Sequence, residues 1–324
     1  MRSYRGLPPP TAAFSWLVDL ARQPVGSMDI DDIQVARSRR YPRSRVAGLV
    51  TGGVDRSVGI TFGTAPARDD FEIPLRIYRP RALPDRRTDV PVVMWFHGGG
   101  FVLGNVVDYD PICTLIASRV SAVVVSVDYR MAPEHRAPTA VEDCVDATTW
   151  VQVSGDALRA DTTRMAVAGD SAGGNLAAVV AQVLRDHGIG ALRHQALVYP
   201  ATDLTMSSPS VAELHDAALL DRPAMHAFLG HYLRPGQDPT DPVLSPLFGR
   251  LDGLPPALIQ TADLDPLRDD GIRYADALRA AGVPVRLTNY QRAPHGFVLF
   301  PGVCPAGPQH RWELVEELTR ALAP

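Results

Sequence analysis

Residues 169–175 read GDSAGGN, a serine set between glycines and followed at once by the alanine-rich stretch NLAAVVAQVL. The residues before it, RMAVA, form a short apolar run, so Ser171 falls on a strand–turn–helix junction. Such a turn lifts a serine Oγ out at the top of a sheet, and the flanking glycines let neighbouring backbone approach closely. The helix that starts there points free N–H groups and the positive end of its dipole at the same place. A serine attacks a carbonyl only when a base takes its proton and an acid orients that base. Donors for the developing oxyanion are needed as well.

The donors are expected from HGGGF, residues 97–101, which follows the apolar run PVVMWF. Three consecutive glycines are costly in backbone entropy, and a loop whose N–H groups must aim at a substrate oxygen gives them a reason. The expected donors are the N–H groups of Gly98, Gly99 and Ala172, with His97 fixing the loop. Nine histidines compete for the base. His187, His194 and His310 lie in polar, helix-flanking contexts and are expected at the surface. His215, His226 and His231 belong to an insertion, and His135 to another loop. His295 differs: it sits in APHGF, just beyond the last strand candidate. For the acid, ALIQTADLDPLRDD offers Asp263 and Asp265 beyond a strand end, where open α/β sheets place their ligands. Spacing does not choose between them. Asp269 and Asp270 begin a helix and are explained as dipole partners at its N-terminus.

These residues need a sheet to hold them. Strand candidates lie at 58–63, 73–79, 91–96, 122–127, 165–168, 195–199, 257–261 and 284–289. VVMWF and AVVVSV lack polar alternation, as suits strands covered on both faces. Helical patterns at 111–119, 139–152, 172–186, 269–281 and 309–322 alternate with them, which predicts a mostly parallel sheet in a three-layer α/β sandwich. No long helix separates the first two strands, so the sheet should begin antiparallel. Two stretches stand outside the alternation. Residues 1–45 look helical but precede the sheet. Residues 203–238 form an excursion too long for a structureless loop, and read as a helical insertion.

Composition narrows the chemistry. The chain has 324 residues, a net charge of −4 and 46% hydrophobic residues, with no basic footprint for nucleic acid. All 32 basic residues are arginine, which removes Schiff-base chemistry and the phosphate-loop lysine. GDSAGGN also lacks the G-x-G-x-x-G of a dinucleotide turn. Cys113, Cys144 and Cys304 are widely spaced and odd in number, so they read as buried small hydrophobes. No metal or organic cofactor is expected. No run approaches about 18 apolar residues, so no integral membrane segment is expected. A soluble, cytoplasmic protein is the expectation, with a peripheral place at a membrane left open.

Taken together, HGGGF, DYRMAPEHRAPTAVED (128–143), GDSAGGNLA, SPL (245–247), ADLDPLRDDG (262–271) and HGF (295–297) resemble the hormone-sensitive-lipase-like branch of the α/β-hydrolase esterases. The motifs stand in that family's order over roughly residues 70–324. The resemblance implies an α/β-hydrolase fold with a mostly parallel eight-stranded sheet, as a single domain. It implies a helical cap built within residues 1–45 and 203–238. It places the nucleophile at Ser171, the base at His295 and the acid at Asp265, which settles the choice against Asp263. Gly98, Gly99 and Ala172 would form the oxyanion hole, and Asp128, Tyr129 and Glu134 would be framework. The implied activity is hydrolysis of short- to medium-chain acyl esters through an acyl-enzyme. An amidase or lactonase with the same triad, or a non-catalytic small-molecule receptor on the same scaffold, stands as the alternative. The implied partner is a small-molecule ester, and a homodimer is common in the family.

Overall fold

The computed structural model describes residues 2–84 and 88–324. Three helices come first: α1 (Pro9–Ala21), α2 (Ile30–Ser38) and α3 (Arg45–Thr51). Each start has a local cause. Prolines open α1, Asp29 and Asp32 form a reciprocal capping box on α2, and Ser44 caps α3. The sheet then begins with β1 (Val58–Pro66), β2 (Glu72–Pro80) and β3 (Pro91–Phe96). It continues through α4 (Asp110–Val120), β4 (Val123–Val127), α5 (Thr139–Val153), the short α6 (Gly155–Leu158), β5 (Asp161–Asp170), α7 (Ala172–Asp186) and β6 (Leu192–Val198). The excursion holds only α8 (Pro209–Glu213) and α9 (Arg222–Tyr232). The chain closes with β7 (Ala257–Leu264), α10 (Arg268–Ala280), β8 (Val285–Pro294) and α11 (Ala306–Ala321).

The eight strands lie in the order β1-β2-β4-β3-β5-β6-β7-β8. β2 runs antiparallel to both β1 and β4, and the other neighbours are parallel. All six residues of β3 and all five of β4 are buried, which explains their unbroken apolar runs. One face packs α5, α7 and α10 around Phe96, Val125, Leu176 and Leu278. The other packs α4 and α11 around Trp95, Val124, Ile116 and Leu314. The result is the α/β-hydrolase architecture, with each expected strand present and β5 and β8 longer than their apolar runs. The three cysteines are free and buried. Among the described residues no helix is long and apolar enough to cross a membrane.

Two histidines depart from expectation. His194 and His310 are fully buried, not at the surface. Their polar neighbours in sequence mislead, because β6 and α11 carry both rings into the sandwich. His310 Nδ1 pairs with Gln260 Oε1 at 2.7 Å. Desolvation holds both imidazoles neutral, pushing His194 down to about 4 and His310 to about 3.

Candidate active site

The parallel strands bring five loop ends to one edge. Those after β3, β5, β6, β7 and β8 carry His97–Gly100, Ser171, Tyr199, Asp265 and His295. Ser171 stands between β5 and α7 with φ 56° and ψ −119°, a strained conformation for a residue with a Cβ. Close packing holds it there. A Cβ on Gly173 would lie 2.0 Å from the Phe96 carbonyl oxygen, and one on Gly169 would lie 2.3 Å from that of Gly173. Both glycines are therefore needed for α7 to start against the end of β3.

His295 Nε2 lies 3.0 Å from Ser171 Oγ, and its Nδ1 lies 2.7 Å from Asp265 Oδ2. Asp265 is fully buried, and its Oδ1 also accepts the Leu267 N–H at 2.9 Å. Asp263 points elsewhere: its carboxylate accepts the Arg292 N–H. The imidazole is flanked by Tyr199, whose ring centroid is 4.7 Å away. With Nδ1 protonated toward the carboxylate, Nε2 is left to accept the serine proton.

Of the expected oxyanion donors, the N–H groups of Gly99 and Ala172 are unpaired among the described residues, and that of Gly98 is already bonded. The Gly98 N–H is engaged by Asp170 Oδ1 at 2.9 Å and by Tyr109 Oη at 3.0 Å, so it has nothing to offer a substrate. The N–H groups of Gly99, Gly100 and Ala172 have no partner among the described residues, and all three residues line the cavity that holds Ser171. His97 is buried and fixes the loop as expected. Its Nδ1–H donates to the Gly98 carbonyl at 2.8 Å, and its ring stacks on Tyr129 at 4.4 Å. Sequence reasoning missed Gly100, Asp170, Tyr109 and Tyr199. A carboxylate beside the nucleophile in GDSAG was the available signal.

The cavity measures about 560 Å³ and is mostly apolar. The first and third helices supply Phe14, Val18 and Val50, and the excursion supplies Leu219, Met225 and Phe228. The two stretches that stood outside the alternation thus line one space above the serine. Among the described residues no group of three or more His, Cys, Asp or Glu side chains is placed to hold a metal ion.

Comparison with known proteins agrees with this geometry. A family model described as alpha/beta hydrolase fold matches residues 93–299. The chain is 46% identical to carboxylesterase NlhH of Mycobacterium tuberculosis over 308 residues, covering 92% of each chain. It is 33% identical to an ethyl acetate hydrolase of Pseudomonas putida, covering 98% of this chain and 99% of that one. Among solved structures, a hyperthermophilic esterase from the archaeon Pyrobaculum calidifontis superposes with a TM-score of 0.87 at 38% identity, covering 98% and 99% of the two chains.

Proposed function

From the premise that the chain belongs to the hormone-sensitive-lipase-like branch of the α/β-hydrolase family and is a carboxylic ester hydrolase, we propose that Ser171, His295 and Asp265 are its catalytic triad. The observation that carries this is the unbroken chain Ser171 Oγ–His295–Asp265, with contacts of 3.0 and 2.7 Å. His295 Nε2 takes the Ser171 proton as Oγ attacks the ester carbonyl. The oxyanion accepts the N–H groups of Gly99, Gly100 and Ala172, at the start of α7 where the helix dipole also favours negative charge. The imidazolium, held by Asp265, then protonates the leaving alcohol. Water repeats the sequence in reverse on the acyl-enzyme and frees the acid.

The substrates proposed are short- to medium-chain acyl esters. A mostly apolar cavity of about 560 Å³ supports this, being of the size that encloses a small molecule and not an extended lipid. Residues 1–45 and 203–238 act as the cap of a single domain, since both line that cavity.

Ser171→Ala is expected to lower turnover of p-nitrophenyl butyrate by about 10⁶-fold while leaving the thermal transition in place. A variant that keeps most of its activity would sink the triad. A p-nitrophenyl ester series from acetyl to palmitoyl should peak between butyryl and octanoyl. A maximum at lauroyl or longer overturns the chain-length assignment.

A further inference from the structure

We propose that Asp170 is the positioning residue of the oxyanion hole: its carboxylate draws the Gly98 N–H inward, and so turns the Gly99 and Gly100 N–H groups toward the carbonyl that Ser171 attacks. This rests on the triad and donors proposed above.

Asp170 is 2% exposed and immediately precedes the nucleophile. Its Oδ1 accepts the Gly98 N–H at 2.9 Å, and its Oδ2 accepts the Tyr109 hydroxyl at 3.0 Å and the Tyr199 hydroxyl at 3.3 Å. Tyr109 Oη in turn accepts the same Gly98 N–H at 3.0 Å. One carboxylate thus ties together the ends of β3, β5 and β6 and the approach to α4. The glycine at 98 is explained by the same contact. A Cβ there would stand 2.6 Å from Asp170 Oδ2 and 2.9 Å from the Asp170 carbonyl oxygen. The first glycine of the triplet makes room for the aspartate, and the next two provide donors.

No guanidinium pairs with Asp170 among the described residues. The titratable groups facing it are Tyr109, Tyr199 and His295, with Tyr41, Cys113 and Tyr129 farther out. A carboxylate buried without a cation is expensive, and an asparagine would fill the same space at lower cost. Burial pushes Asp170 up to about 6, although its hydrogen bonds and His295 oppose the shift. The charge therefore works against stability above that pH, and it is the placement of the loop that it serves. Tyr199 links it to the base, since its hydroxyl donates to Asp170 and its ring packs against His295.

The experiment compares wild type, Asp170→Asn and Asp170→Ala on p-nitrophenyl butyrate. It also measures the Ki of a trifluoromethyl ketone, which places an oxyanion in the hole, and Tm at about pH 8. Asp170→Ala is expected to lose on the order of 10²-fold or more in kcat, the scale of a lost hole donor, with KM changed by less than about threefold. Asp170→Asn keeps the shape and one acceptor, and should lose about tenfold. In both variants the ketone Ki should rise by the same factor as kcat/KM falls. The Tm of Asp170→Asn should equal or exceed that of wild type, which a merely structural role would not produce. Asp170→Asn with unchanged kcat and ketone Ki overturns the proposal, as does a loss of activity that only follows a lowered Tm. Should Ser171→Ala remain active, the triad itself fails; should Ser171→Ala be dead and Asp170→Ala turn over normally, only the role of Asp170 fails.

Discussion

The proton on His295 has to sit on Nδ1, and the single contact that fixes it there is the one to Asp265 Oδ2 at 2.7 Å. Asp265→Asn offers an amide in place of a carboxylate, so the wrong tautomer is favoured and the imidazolium loses its counter-charge. Turnover is expected to fall on the order of 10⁴-fold with little change in KM, measured by initial rates at saturating ester. Asp263→Asn, on the same loop, should stay near wild type. Gly100 makes a second test at this scale. Its φ is +63°, and an added Cβ would come within 2.4 Å of the Phe228 ring. Gly100→Ala should therefore reduce kcat by about 10²-fold, the scale of a displaced donor. Phe228→Ala added to it should recover part of that loss by making room, and equal activities in the single and double variants would refute the clash. Ser171 and His295 could be read from sequence because strand–glycine–helix and strand–loop contexts are local. Which glycine N–H groups face the substrate could not. The three glycines are alike in sequence, and the group that turns them, Asp170, is far along the chain and meets Gly98 only in the folded sheet.

Charged contacts help to join the elements above the site to it. On α2, Arg37 donates Nε to the Val102 carbonyl at 2.7 Å and pairs with Glu134, so the helix is fastened to the loop that follows the oxyanion glycines. Asp19, near the end of α1, is 5% exposed at its side chain. It receives Arg2, Arg22, the Tyr4 hydroxyl and the Leu219 N–H, the last from the excursion. One carboxylate thus couples the two segments that line the cavity. Asp19→Asn leaves two guanidiniums short of charge and is expected to loosen residues 2–22 without touching the triad. The KM for p-nitrophenyl butyrate should rise about threefold or more with kcat held within about twofold, the pattern of lost binding and intact chemistry. Limited proteolysis should cut within α1 sooner than in wild type, and unchanged KM and cleavage together would remove Asp19 from this role. The strands were legible because an unbroken β-branched run such as VVVSV suits a strand covered on both faces and little else. The excursion was legible as helical, but its path was not. Its α8 spans five residues, and its path is set by polar burial: Asp270 accepts the Thr202 and Asp203 N–H groups, and Ser210 Oγ donates to the Pro266 carbonyl. Contacts of that kind leave no periodicity to read.

Across the whole molecule, buried histidines and buried carboxylates oppose one another in their effect on stability. His194 and His310 are held neutral, at about 4 and about 3 against 6.5 when unfolded. The buried ring of His97 is held below its ordinary value in the same way, so as pH falls below 6.5 the unfolded chain takes up protons at all three histidines that the native state refuses, and stability is lost. Burial raises Asp170 to about 6 and Asp270 to about 7, against 3.8 when unfolded. As pH falls through those values the native state binds two protons that the unfolded chain does not, and stability is gained. Between about pH 6 and pH 4 the two carboxylates offset only part of what the three histidines lose. Below that range the carboxylates held low by hydrogen bonds and arginine partners, Asp161, Asp203, Glu313 and Glu317 among them, take over, and stability drops as they are protonated. Urea unfolding of wild type should therefore give a shallow decline in free energy from about pH 6 to about pH 4.5 and a steeper one below about pH 4. Asp270→Asn removes one of the compensating carboxylates and leaves all three histidines. Its unfolding free energy should fall more steeply than that of wild type over the same interval, by about 1.4 kcal/mol for each pH unit. A variant whose curve runs parallel to wild type would show that Asp270 is already ionised across that interval.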